Sequence, residues 1–115
     1  MLNLFITQSL AEKESSAAST EQQSNYRLPH GTTLQHCAKL SIVEDKPIMF
    51  DYWTGSLDKE VLIGVRESGE KLLVKSEDEY TSPIAKIYKV ESEYIIITEN
   101  SIYLISADVD TKRIS

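Results

Sequence analysis

A single cysteine, Cys37, occurs in this chain of 115 residues, so no intrachain disulfide can form. A lone thiol points to a reducing compartment, most simply the cytosol. Histidine is equally scarce, with only His30 and His36. A zinc site normally draws on four soft ligands in spaced pairs, which three such residues in the whole chain cannot supply. The four glycines, at 31, 55, 64 and 69, are too scattered to form a phosphate loop or a dinucleotide fingerprint. Asp108-x-Asp110 has the opening spacing of a calcium loop but lacks its glycine and its distal glutamate. No metal, no cofactor and no catalytic residue is therefore expected.

Long apolar runs are absent too. Nothing approaches the roughly 20 residues that cross a bilayer, so no membrane contact is expected. The opening MLNLFITQSLA carries Leu2, Leu4, Phe5 and Ile6, but it has no positive flank and too short an apolar core for a secretory signal. Positive charge is in deficit, with a formal net charge of −6. An acidic chain repels phosphate backbones, which argues against direct nucleic-acid binding. From Leu34 onward there are 15 acidic and 10 basic residues, mostly interleaved, as on a solvated surface.

What the chain does contain begins with a boundary near residue 30. The stretch from Ala11 to Asn25, AEKESSAASTEQQSN, has no large apolar residue and cannot bury enough surface to offset its ordering entropy. Residues 1–30 read as a flexible N-terminal arm with a short apolar tip. Residues 31–107 read as a single β domain, and 108–115 as a loose polar tail.

Within the domain the rhythm is that of short strands. In LQHCAKLSIVED, Leu34, His36, Ala38, Leu40 and Ile42 alternate with other residues, the mark of a half-buried strand. On a strand His36 and Cys37 point to opposite faces, which separates them as a nucleophile and base pair. IMFDYW, residues 48–53, follows Pro47 and is rich in residues that favour a pleated surface. VLIGVRESGEKLLVKS reads as a hairpin whose register is chosen by charge. A two-residue Ser68-Gly69 loop sets Glu67 against Glu70 and Arg66 against Lys71. A three-residue Glu67-Ser68-Gly69 loop sets Arg66 against Glu70 and puts Gly69 at the left-handed position of a bulged turn. SEDEYTSP, 76–83, reads as a polar loop, and IAKIYKV, 84–90, as a strand rather than a helix.

The most apolar stretch is EYIIITENSIYLIS, residues 93–106. A two-residue turn at Glu99-Asn100 sets Ile97 opposite Ile102 and Ile95 opposite Leu104 on one face. Ile96 then faces Tyr103 and Tyr94 faces Ile105 on the other. Both faces are apolar, so this hairpin is expected at the centre of the core, since as an open edge it would invite aggregation. The whole pattern predicts an all-β domain of about seven strands, an antiparallel meander closing as a small barrel or compact sandwich.

Function is expected to lie in binding. FDYWTG, 50–55, gathers three aromatics before a loop, and on a regular strand Tyr52 or Trp53 must face outward. The leading expectation is a non-enzymatic protein-interaction module whose partner meets Tyr52, Trp53 and Thr54, with Leu4 and Phe5 of the arm as a second contact. The alternative is an acidic inhibitor or nucleic-acid mimic that occupies a basic groove on its target. An enzyme built on Cys37 with His30 or His36 ranks last.

Overall fold

The computed structural model describes residues 27–115. The expected arm, with Leu4 and Phe5, lies outside the described residues apart from its last four positions. Among the described residues two helices, α1 (Gly31–Glu44) and α2 (Trp53–Leu57), accompany eight strands: β1 (Ile48–Met49), β2 (Leu62–Val65), β3 (Lys71–Ser76), β4 (Glu79–Tyr80), β5 (Ile84–Val90), β6 (Glu93–Thr98), β7 (Ile102–Ser106) and β8 (Asp110–Arg113). The strands form two mixed sheets, a central one ordered β1-β7-β6-β5 and an outer one ordered β4-β3-β2-β8. They stack as a sandwich, not a closed barrel. The sheets are not purely antiparallel either, because β1 runs parallel to β7 and β8 parallel to β2.

The 93–106 hairpin is the middle of the molecule. Ile97 pairs with Ile102, Ile96 with Tyr103, Ile95 with Leu104 and Tyr94 with Ile105, and the Thr98 N–H closes the Glu99-Asn100 turn on the Ser101 carbonyl at 2.9 Å. One face of this hairpin packs under the helices, where Ile95, Ile97, Ile102 and Leu104 meet Cys37 and Trp53. The other face meets the outer sheet, where Ile96 and Ile105 join Tyr52, Val61, Ile63 and Leu73. Two-sided burial explains why the stretch is apolar throughout. Each of its fully buried aliphatic side chains contributes about 1.5–3 kcal/mol, and a one-residue slip would exchange the two cores.

The β2–β3 hairpin has the bulged register. The Arg66 N–H donates to the Glu70 carbonyl at 2.8 Å, Gly69 sits at φ 97°, and the Arg66 and Glu70 side chains lie 3.4 Å apart. Residues 84–90 form a strand as expected. The segment read as polar loop, 76–83, contains β4, folded back on β3 by a turn in which the Ser76 hydroxyl accepts from the Asp78 and Glu79 N–H groups.

Three local readings are overturned. Residues 31–44 form a helix, not a strand: Leu34 and Leu40 satisfy a period of two, yet Thr33, Cys37, Leu40 and Glu44 equally mark one helical stripe. Asp45 ends the helix in the left-handed conformation at φ 56°, where the Ser41 hydroxyl donates to the Lys46 carbonyl at 2.6 Å. Ile42 and Val43, counted into a strand from sequence, are left exposed. Residues 48–53 form only a two-residue strand before the chain turns into α2. The tail is not loose, since Asp110–Arg113 pairs with β2 over four residues. Its side chains are all exposed, so burial leaves no pattern by which sequence could reveal it.

Candidate interaction surface

The aromatic segment is placed differently from the sequence expectation. Tyr52 and Trp53 are both buried, and only Thr54 is exposed. The alternation argument fails because the pair lies where a turn enters a helix, so successive side chains do not oppose one another. Each finds its own core: Trp53 packs beneath α1, while Tyr52 enters the space between the sheets and meets Tyr103 edge-on with centroids 5.4 Å apart. The Lys75 ammonium caps the Tyr52 ring at 5.0 Å and donates to the Asp51 carbonyl at 2.9 Å. Burial pushes the Tyr52 hydroxyl up to about 12, helped by the negative charge of Glu79 and by Tyr103 and Asp51. Ser56 pins α2 to the sheet, its hydroxyl accepting from the Ser106 N–H at 2.9 Å. These side chains build the fold and offer a partner little surface.

The reactive groups are also separated. Cys37 is fully buried among aliphatic side chains, and burial raises its thiol to about 11, far from an activated nucleophile. His36 is exposed while Cys37 is buried, whereas on the expected strand His36 lies on the half-buried face with Leu34 and Leu40. His30 lies at the start of α1 beside Glu93, its Nε2 3.8 Å from the carboxylate. Glu93 is the one acidic side chain buried in the core of the described residues. It accepts from the Arg27 guanidinium at 2.6 Å and from the His30 N–H at 3.1 Å. Burial alone would raise its pKa, but hydrogen bonds from Arg27, Thr33 and the His30 backbone, with the His30 ring nearby, hold it below its ordinary value. Arg27 in turn lies over the Trp53 ring at 5.1 Å and accepts the indole N–H on its carbonyl at 2.8 Å. A carboxylate so engaged is a weak base. It fastens the incoming chain and the helix N-terminus onto the central sheet. Among the described residues no group of three or more His, Cys, Asp or Glu side chains is disposed to hold a metal ion.

Among the described residues, a groove with room for a ligand lies on the far side of the outer sheet. There β2 and β3 pair Leu62 with Val74 and Gly64 with Leu72, while their neighbours Ile63 and Leu73 point inward. Tyr80 extends this face from β4, opposite Val74. Gly64 lets the C-terminal chain lie close over the strand: a Cβ there would come within 2.7 Å of Ile114, which donates its N–H to the Val65 carbonyl at 2.9 Å. The result is a groove of about 530 Å³, walled by Leu62, Leu72, Val74, Tyr80 and Ile114 and rimmed by Glu60, Arg66, Lys75 and Glu77. Tyr80 is 53% exposed and Ile114 40% exposed at its edges. The rim cations are engaged, Arg66 with Glu70 at 3.4 Å and Lys75 with Glu79 at 3.6 Å. Glu60 and Glu77 form no ion pair among the described residues, so the free charge of the rim is negative.

Sequence reasoning did not find this groove, although a signal existed. KLLVKS, like the central hairpin, is apolar at adjacent positions, and Leu72 beside Leu73 marks a strand with two apolar faces. No described helix is long and apolar enough to cross a membrane. Compared with protein-family models, curated proteins and solved structures, the chain matches no family model, no curated protein and no solved structure.

Proposed function

We propose that this chain is a non-enzymatic protein-interaction module that holds a segment of a partner protein in the groove of its outer sheet. The observation that carries the reading is the apolar concavity itself, floored by Leu62, Leu72 and Val74 and edged by the exposed ring of Tyr80. Leu72 is buried and Leu62 and Val74 half-buried, so the surface open to a partner's apolar side chains is mainly Tyr80 and Ile114 at the edges of the depression. Charge defines the rest of the partner. With Arg66 and Lys75 occupied and Glu60 and Glu77 free, a segment that places lysine or arginine beside its apolar anchors complements the rim. The domain supports such a role through a rigid, doubly packed central sheet that holds the outer sheet in place. The buried, high-pKa thiol and the fully engaged buried carboxylate speak against nucleophilic or acid–base chemistry.

A random-peptide display selection on the full chain tests the proposal. Peptides with apolar anchors beside basic residues are expected to be enriched, and the enrichment is expected to vanish on Tyr80→Asp. That substitution is at a half-exposed position and leaves the core untouched. No enrichment, or enrichment indifferent to Tyr80→Asp, would contradict it. Salt separates the acidic-mimic reading: binding through general charge falls steeply as ionic strength rises, whereas a groove with an apolar floor weakens only modestly.

A further inference from the structure

The groove is partly filled by the chain itself. Leu62 and Gly64 share one face of β2, and Gly64 leaves a gap in that row of side chains. Ile114 fills the gap: its Cδ1 lies 2.7 Å from where a Gly64 Cβ would stand, and its N–H donates to the Val65 carbonyl at 2.9 Å. The strand that delivers Ile114, β8, is lightly held. All four of its side chains are exposed and it pairs with β2 alone. Lys112 and Arg113 form no ion pair among the described residues. Val109, immediately before β8, packs against the core between the sheets, so the strand can leave β2 without disturbing that core. Lys112-Arg113-Ile114 also has the chemistry ascribed above to a partner, basic residues beside an aliphatic anchor.

Resting on the groove reading above, we infer that β8 is the groove's resident occupant, a stand-in for an extended partner segment of the class basic-basic-aliphatic that displaces it from β2. Such a segment runs parallel to β2, in the register that sets Asp110–Arg113 opposite Leu62–Val65. Its aliphatic side chain takes the place of Ile114 over Gly64, and the N–H of that residue bonds to the Val65 carbonyl. Backbone pairing of this kind supplies affinity, and the pocket for the anchor side chain supplies specificity. Covalent attachment gives β8 an effective concentration on the order of mM. A weakly matched segment is thereby refused, and one that also engages the exposed Tyr80 ring is admitted.

Fluorescence anisotropy tests the inference with a labelled, end-capped peptide of the sequence DTKRIS, residues 110–115, titrated with the full chain as wild type and as Ile114→Asp. Ile114 is half-exposed, so the substitution frees the groove without opening the core. A resident strand seated about nine-tenths of the time lowers the apparent affinity of wild type about tenfold. The variant is therefore expected to bind the peptide about tenfold more tightly than wild type. The same peptide carrying Ile114→Asp is expected to bind neither protein. Equal or weaker binding by the variant protein, or no binding to either protein, would overturn the inference, as would a peptide indifferent to loss of its aliphatic residue. Self-association of wild type that grows with concentration in sedimentation velocity would overturn it too, by seating a second copy's β8 on β2. The display selection does not use this peptide, so these failures leave the groove reading standing, and only loss of the Tyr80-dependent enrichment removes that reading.

Discussion

The Glu93 network gives the sharpest quantitative prediction. In the Arg27→Ala variant the buried carboxylate keeps its hydrogen bond from the His30 N–H but loses the guanidinium at 2.6 Å. Removing one partner of a buried ion pair costs about 3–5 kcal/mol. The Arg27 side chain is 41% exposed, so solvent already screens part of the interaction. We expect a loss of about 2 kcal/mol at neutral pH, including the contact with the Trp53 ring. The pH dependence separates this account from a simple packing loss. In wild type the folded pKa of Glu93 lies below its unfolded value, so its contribution is present above the unfolded value and is lost as pH falls through the folded one. In the variant burial persists without its main counterweight, so the folded pKa moves upward and that acid loss disappears. The gap between the two proteins is thus expected to narrow between neutral pH and about pH 4 or below. Urea unfolding followed by far-UV circular dichroism at both pH values measures it. A gap below about 0.5 kcal/mol at neutral pH, or one of equal size at both, would refute the reasoning.

Other expectations follow from the two cores and their buried groups. Ile96 is fully buried between the sheets, so Ile96→Ala is expected to cost about 3–4 kcal/mol in chemical denaturation; a cost below about 1 kcal/mol would deny the hairpin its central place. Cys37, buried and raised to about 11, is expected to react with thiol reagents only through unfolding, so its labelling rate tracks denaturant concentration; rapid labelling of the native protein would contradict its position. In an alkaline absorbance titration one tyrosine is expected to ionise near 12, and that step is expected to disappear in Tyr52→Phe.

What the sequence disclosed depended on whether local pattern and tertiary environment agreed. The register of 93–106 could be read because its apolar positions and its Glu99-Asn100 turn allow one pairing. The β2–β3 turn could be read because charge rejected the competing register, and Gly69 supplies the positive φ that the chosen one needs. Residues 31–44 misled because Leu34 and Leu40 fit two periods, and the deciding contacts, from Thr33 to Val90 and from Glu44 to Lys86, are remote in sequence. β8 was invisible because a parallel partner far back in the chain holds a strand with no buried side chain. The same remoteness hid the groove. Its walls come from β2, β3, β4 and Ile114, and only the stacking of the outer sheet on the central one leaves Leu62, Leu72 and Val74 facing outward together. Tyr52 and Trp53 drew attention as aromatics, and they serve as core because the central sheet is covered on both faces.

The central claim is that the outer sheet's groove receives a basic, apolar segment of a partner. Backbone amide shift mapping of the full chain, titrated with a peptide of that class from the display selection, tests it most directly. The account predicts perturbations concentrated in Leu62–Val65, Lys71–Ser76, Glu79–Tyr80 and Ile114, with the 93–106 hairpin and α1 unmoved. Perturbations confined to α1 or to β5, with the outer sheet silent, would contradict it.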